Sequence, residues 1–88
     1  SVPVMVDFYA DWCGPCKMMA PVFADLAKRQ RGQALVAKVD TDRNPEVATR
    51  FAIRSIPTIT LMKDGKEVAR QVGAVPMGQL EQMVISAR

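Results

Sequence analysis

A nearly continuous apolar run over residues 2–10, followed at once by two cysteines three positions apart, is the feature that most constrains how this chain folds. An apolar run of this length is typical of a central strand in a sheet that is covered on both faces. Behind the cysteines, apolar residues recur every three to four positions and predict an amphipathic helix that runs to about Arg31. The residues of that stripe are Met18, Met19, Val22, Phe23, Leu26 and Ala27.

Local signals predict three further strands and a turn. The strands are expected over residues 34–40, 58–62 and 67–72, where β-branched and apolar residues cluster. Asp64-Gly65 lies between the last two, and this dipeptide is a strong signal for a tight β-hairpin.

Two more helices complete the predicted order. Asn44 is a candidate N-cap, and Pro45 behind it suits the first helical position, which predicts a short helix through Phe51. Pro76 opens the last helix, whose buried stripe is Met77, Leu80, Met83 and Val84. The order is β-α-β-α-β-β-α, an α/β fold with a mixed sheet, because the first crossover gives a parallel strand pair and the hairpin an antiparallel one.

Length and charge limit the possible functions. The 88 residues, about half of them apolar, predict a single small domain over residues 1–88. The net charge of +3 is modest, and the densest basic group falls where the first helix should end and complements its dipole, so we expect no nucleic-acid partner. No stretch is long and apolar enough for a membrane span, and we expect no membrane association.

The two cysteines are best explained as a reversible dithiol/disulfide couple. Cys13 precedes a helix start, where unpaired backbone N–H groups and the positive end of the helix dipole favour its thiolate, so it is the candidate nucleophile. Gly14 allows a tight loop, and Pro15 suits the first helical turn. Cys16, one turn into the helix, is the candidate resolving thiol.

Two structural explanations for the cysteine pair are less favourable. Zinc usually takes four Cys or His ligands, and this chain has two cysteines and no histidine, so we expect no bound metal. A structural disulfide between Cys13 and Cys16 would close too short a loop to remove much entropy from the unfolded chain. The pattern therefore favours redox chemistry over either structural role.

Several segments, the one with the cysteine motif among them, match one known family in order and spacing. They are residues 6–17 (VDFYADWCGPCK), Ala20-Pro21, residues 36–40 (VAKVD), Ile56-Pro57-Thr58, Asp64-Gly65 and Val72-Gly73-Ala74. In these segments the chain resembles the thioredoxin family. The resemblance implies a three-layer α/β/α thioredoxin fold with a mixed central sheet. Complete members have an additional strand and helix before the point where this chain starts, so four strands and three helices are expected here.

The resemblance also implies a substrate-binding rim. Pro57 would be a cis-proline facing the cysteines, with the Ile56 backbone turned toward the disulfide, where it can pair with an extended substrate segment. A flat apolar surface would surround it, formed by Trp12, Gly14, Pro15, Ile56, Pro57, Gly73 and Ala74. The sequence alone leaves open that Trp12 and Ile56 are ordinary core residues.

Asp7 is a carboxylate inside the apolar run, and the resemblance implies that it lies beneath Cys16. Burial there would raise its pKa and let it accept the proton that the resolving thiol sheds. Lys38, on the neighbouring strand, would be its charge partner. The residues alone equally allow an Asp7 that points to solvent and a Lys38 that simply extends along the surface.

The implied activity is that of a protein disulfide reductase, or dithiol electron carrier, acting through Cys-Gly-Pro-Cys. Members bind no cofactor themselves and receive electrons from NADPH through a flavoprotein thioredoxin reductase, so the expected partners are that reductase and disulfide-containing proteins. We expect a cytoplasmic monomer, since no cysteines are left for structural bridges. The alternatives are a non-catalytic binding module with the same rim and an oxidant or isomerase of the cell envelope.

Two short segments suggest a branch within the family. Residues 53–56 and Val75-Pro76 are similar to the second bacterial thioredoxin branch, whose members often carry an N-terminal zinc ribbon. This similarity predicts a parent protein with a metal-binding segment before Ser1.

Overall fold

In the computed structural model, which describes residues 1–87, four strands and three helices follow the predicted order. In chain order they are β1 (Val4–Tyr9), α1 (Gly14–Arg29), β2 (Leu35–Asp40), α2 (Pro45–Arg50), β3 (Thr58–Lys63), β4 (Lys66–Val72) and α3 (Met77–Ser86).

The apolar run forms the central strand of the sheet. The strand order is β2-β1-β3-β4, with β1 parallel to β2 and antiparallel to β3, and with β3 antiparallel to β4. The predicted mixed sheet is confirmed. Because β1 is hydrogen-bonded on both sides, the loop that follows it, which carries the cysteines, is anchored to the middle of the molecule rather than to an edge.

One face of the sheet holds the main hydrophobic core. Met5 on β1 contributes to it, together with residues of α1 and α3. The fully or almost fully buried members are Met5, Met19, Phe23, Leu26, Ile59, Leu61, Leu80 and Val84. Burying a side chain of this size contributes about 1.5–3 kcal/mol each, so this face holds α1, and with it the cysteine motif, firmly against the sheet.

The opposite face is covered only in part. Phe8 packs there against Phe51 at the end of α2, with ring centroids 5.5 Å apart. The helix α2 has six residues and is about 9 Å long, so it covers one end of the sheet. Val4 and Val6 are half-buried, and Leu35 on β2 is 60% exposed. The expectation that β1 is covered on both faces is therefore correct near Phe8 and wrong toward Val4.

Helix ends account for two further differences. The helix α1 ends at Arg29, two residues before the predicted end, because the backbone of Gln30 leaves the helical conformation (φ −102°, ψ 19°) after its N–H has made a last helical bond to the carbonyl of Leu26 at 2.8 Å. Asn44 occupies the predicted N-cap position of α2, but it lacks the capping bond expected of its side chain. Its side chain instead donates through Nδ2 to the carbonyl of Asp40 at 3.0 Å.

Candidate active site

The cysteine motif lies at the junction between the end of β1 and the start of α1. Cys13 is the N-cap of α1, in an extended conformation, and Pro15 lies in the first turn as predicted. The backbone N–H of Cys16 donates to Cys13 Sγ at 3.2 Å. The two cysteines form a disulfide, with Cα atoms 5.2 Å apart. A donated N–H and the positive end of a long helix thus both act on Cys13 Sγ, and both favour negative charge there.

The disulfide is nearly buried but lies under an exposed loop. Each cysteine is 4% exposed, and both pack with Ala10 in a small cluster that Tyr9 and Ile56 border. Gly14 and Pro15, between the cysteines, are exposed. A reaction partner can therefore approach over the loop, and the sulfur atoms are shielded on the other sides.

Trp12 stands out from the surface beside the motif. Its side chain is 70% exposed, so the alternative of a core tryptophan is wrong. The indole Nε1 donates to Asp42 Oδ2 at 2.8 Å, which fixes the ring relative to the turn that follows β2. Trp12 and the half-buried Ile56 border an open cleft. The cleft is lined by Trp12, Thr41, Ala48, Ile53, Arg54, Ser55 and Ile56.

The loop before β3 and the end of β4 meet at Pro57. The Ile56–Pro57 peptide bond is cis, and Pro57 is buried. The Pro57 carbonyl accepts a hydrogen bond from the N–H of Gly73 at 2.8 Å, and Gly73 has a φ of +92° that favours glycine. Ala74, next along the chain, is exposed. The structure thus joins the segments carrying Ile56, Pro57 and Gly73, which the sequence separates by about 15 residues.

Asp7 lies on the face of β1 that α1 covers, two residues beyond Met5. It is 1% exposed, so the alternative of a solvent-facing carboxylate is wrong. Neither carboxyl oxygen has a hydrogen-bond partner within residues 1–87. Burial raises the pKa of Asp7 from 3.8 to about 6, and the positive charge of Lys38 partly opposes that rise.

Lys38 is the cross-strand neighbour of Asp7 in the β1–β2 register, but its side chain is exposed. Its ammonium Nζ lies over the ring of Tyr9, 4.4 Å from the centroid. Lys38 and Tyr9 line a second cleft that reaches Cys16. Lys38 therefore extends to the surface, and its positive charge also lowers the pKa of Asp7.

The described residues contain neither a metal cluster nor a membrane-spanning helix. Within residues 1–87, no three His, Cys, Asp or Glu side chains are grouped closely enough to hold a metal ion. Over the same residues, each helix is too short or too polar to cross a membrane.

Sequence reasoning missed three neighbours of the site. They are Asp42, which accepts from Trp12; Arg54, which lines the cleft beside Trp12; and Tyr9, which contacts Lys38. A signal existed for Tyr9, since it is two residues from Asp7 on a strand and so shares its face. No such signal exists for Asp42, because it lies 30 residues from Trp12 in the chain and is brought next to it only by the fold.

Comparison with known proteins identifies close relatives. The sequence model of the thioredoxin family matches residues 1–86. The chain is 53% identical over 82 residues to Thioredoxin 1 of Nostoc sp., covering 93% of this chain and 77% of the relative. It is 51% identical over 80 residues to the chloroplastic Thioredoxin M-type of Spinacia oleracea, covering 91% of this chain and 44% of that one. It is also 57% identical over 72 residues to the bifunctional thioredoxin reductase/thioredoxin of Mycobacterium leprae, covering 82% of this chain and 16% of the relative.

Proposed function

Since the chain belongs to the thioredoxin family, it is a thiol-disulfide oxidoreductase, and we propose that it reduces protein disulfides with Cys13 as the attacking thiol. The observation that carries this assignment is the position of Cys13 Sγ at the N-terminus of α1, where it accepts the N–H of Cys16. A thiolate at Cys13 gains from both the hydrogen bond and the helix dipole, whereas Cys16 lies inside the first turn of the helix and donates its backbone N–H to Cys13 Sγ.

The first step is attack by the Cys13 thiolate on a substrate disulfide. One substrate sulfur forms a bond to Cys13 Sγ, and the other leaves as a thiolate. In the second step, Cys16 loses its proton and attacks Cys13 Sγ, which releases the second substrate sulfur as a thiolate. The substrate disulfide has then gained two electrons, and the Cys13–Cys16 disulfide has formed.

Asp7 is the proposed acceptor of the Cys16 proton. Support comes from its burial on the α1 side of β1 and from its pKa of about 6, which lies close to neutral pH and suits a group that must take up and return a proton. Lys38 is its proposed charge partner, because its positive charge lowers the pKa of Asp7.

The substrate-binding surface is proposed to surround the disulfide. It combines the exposed indole of Trp12, the loop residues Gly14 and Pro15, the half-buried Ile56, and Pro57, Gly73 and Ala74. An apolar rim beside the backbone of Ile56 suits an extended peptide that carries a disulfide.

The oxidised pair is proposed to be reduced by a flavoprotein thioredoxin reductase that uses NADPH, so NADPH acts indirectly. The mycobacterial relative, whose name joins reductase and thioredoxin in one protein, supports this pairing. We propose that the protein works as a monomer in the cytoplasm, because both cysteines belong to the reactive pair. The similarity to the second bacterial branch stays a prediction.

A coupled assay tests the proposal. The protein is incubated with NADPH, a bacterial thioredoxin reductase and insulin, and NADPH oxidation is followed at 340 nm. We expect continuous turnover by the native protein and none by Cys13→Ser. The variant Cys16→Ser should instead form a stable mixed disulfide with the substrate, because its Cys13 can attack but nothing resolves the product.

The same variants separate this function from docking alone. A folded, reduced protein that gives no turnover, or a Cys13→Ser/Cys16→Ser double variant that keeps the biological activity, would contradict the proposal and favour a binding module. If Cys13→Ser, rather than Cys16→Ser, formed the stable mixed disulfide with the substrate, the assignment of the two thiols would be reversed.

A further inference from the structure

Lys38 has two possible partners within reach on the same face of the sheet. Asp7 is its cross-strand neighbour, and Tyr9 is two residues from Asp7, so both side chains lie on the face that carries Lys38. The ammonium lies over the Tyr9 ring at 4.4 Å, and the Asp7 carboxylate accepts no hydrogen bond from it. The ring therefore holds a cation that a nearby buried carboxylate would otherwise attract.

The other charged groups around Lys38 do not explain this placement. Asp40 shares its strand, but Asp40 Oδ1 accepts the N–H groups of Asp42 and Arg43. Asp40 Oδ2 is 3.7 Å from the Arg43 guanidinium. Asp11 and Lys17 line the same cleft from the cysteine loop and α1, and one would attract and the other repel the ammonium. From the other side of β1, the neighbour of Asp7 is the apolar Ile59.

We propose that Tyr9 is a positioning residue whose ring keeps the Lys38 ammonium off the Asp7 carboxylate, so that this carboxylate remains able to take up the proton of the resolving thiol. This inference rests on the proposed role of Asp7. An ammonium in direct contact would favour the ionised carboxylate and oppose the effect of burial. Contact with an aromatic ring near the surface makes this position of the ammonium about two- to fivefold more populated than positions away from the ring. A change of that size alters the protonation of a group that titrates near neutral pH.

Titration of Asp7 in the oxidised protein tests the inference, because neither cysteine titrates in that state. The carboxyl carbon of Asp7 is followed by ¹³C NMR in the native protein, in Tyr9→Leu and in Tyr9→Phe. We expect the proton-binding constant of Asp7 to fall about two- to fivefold in Tyr9→Leu and to stay unchanged in Tyr9→Phe, which keeps the ring. The pH dependence of the resolving step in the reduced protein should move to lower pH in Tyr9→Leu alone.

A second background isolates the role of the cation. In Lys38→Met, the additional change Tyr9→Leu should leave the titration of Asp7 unaltered, because no ammonium is left to move. An equal effect in both backgrounds, or a rise in the Asp7 proton-binding constant, would overturn the proposal.

One measurement needs no substitution at Tyr9. The ε-protons of Lys38 in the native protein should show an upfield shift caused by the ring current of Tyr9. Unshifted ε-protons would overturn the inference even if Tyr9→Leu does not fold. If Asp7→Asn leaves the resolving step unchanged while the titrations behave as expected, the proton role of Asp7 fails, and the positioning of Lys38 by Tyr9 stands.

Discussion

Asp7 lies where a carboxylate is poorly solvated, and this affects the stability of the whole protein. Its pKa is about 6 in the folded state and 3.8 in an unperturbed carboxyl group. The folded state therefore binds the proton of Asp7 more tightly than the unfolded state does. The stability that this proton contributes is fully present below pH 4 and is lost as the pH rises through 6. Above that range the buried charge opposes folding by about 3 kcal/mol.

Removing the charge should stabilise the protein in a pH-dependent way. We expect Asp7→Asn to raise the free energy of unfolding by up to about 3 kcal/mol at pH 8, with a gain that shrinks between pH 6 and pH 4. Urea denaturation of the oxidised protein at pH 4, 6 and 8 measures this. The matched control is Asp11→Asn, at an exposed position. A gain of the same size at all three pH values would show that packing, rather than charge, is responsible.

The hydrogen bond from Trp12 to Asp42 is expected to matter for protein substrates. Asp42→Ala removes the acceptor that orients the exposed indole, and a hydrogen bond of this kind contributes about 1 kcal/mol. We therefore expect kcat/KM for insulin to fall about fivefold, while a small linear disulfide such as cystine reacts at nearly the native rate. Asp11→Ala, one residue from Trp12, is the control. An equal loss with both substrates would indicate damage to the cysteines themselves.

At the scale of single residues, the sequence predicts whether a side chain is buried or exposed better than it predicts which side chains are in contact. The burial of Asp7 and the exposure of Trp12 both follow from the family resemblance, because the residues around them leave either position open. The contacts of Asp7, Tyr9 and Lys38 depend on the register between β1 and β2, which no local pattern encodes.

At the scale of elements, local signals succeed where backbone conformation is decided locally. Asp64 and Gly65 have φ values of +53° and +79°, as the two central residues of a hairpin turn require, and the predicted hairpin is confirmed. Asn44 shows the opposite case. Asparagine often caps helices through its side chain, but the side-chain amide of Asn44 donates instead to the backbone carbonyl of Asp40.

Two glycines in different elements should respond to alanine in opposite directions. Gly65 has a positive φ, so we expect Gly65→Ala to destabilise the protein by about 1 kcal/mol despite the open space around it. Gly78 lies in α3 with open space around it, so Gly78→Ala should stabilise by up to about 1 kcal/mol. Urea denaturation measures both. Destabilisation by Gly78→Ala would mean that α3 packs more tightly there than the structure indicates.

At the scale of the whole molecule, both edge strands of the sheet, β4 and β2, lack a second partner strand within residues 1–87 and carry exposed apolar side chains. The strand β2 pairs only with β1 among the described residues, and Leu35 on it is 60% exposed. An open strand edge with apolar side chains tends to pair with other chains. The sequence predicted strand β2 but not its poor coverage, because the extent of α2 over the opposite face is a property of the assembled fold.

A charge on the β2 edge should reduce self-association at high protein concentration. We expect Leu35→Lys to lower the associated fraction in sedimentation velocity at several hundred micromolar, while turnover of insulin stays native. The control is Ile85→Lys, which places the same charge at an exposed apolar position on α3. If both variants, or neither, reduce association, the β2 edge is not where the molecules meet.

The Asp64–Gly65 turn lies at the end of β3 that pairs with the start of β1, whereas the cysteines follow the end of β1. The two therefore lie at opposite ends of the central strands. A fluorophore, a tether or a short inserted tag at this turn would leave the disulfide pointing away from its attachment. The molecule could then be fixed to a gold electrode by the turn, with its reactive sulfur atoms presented to dissolved proteins.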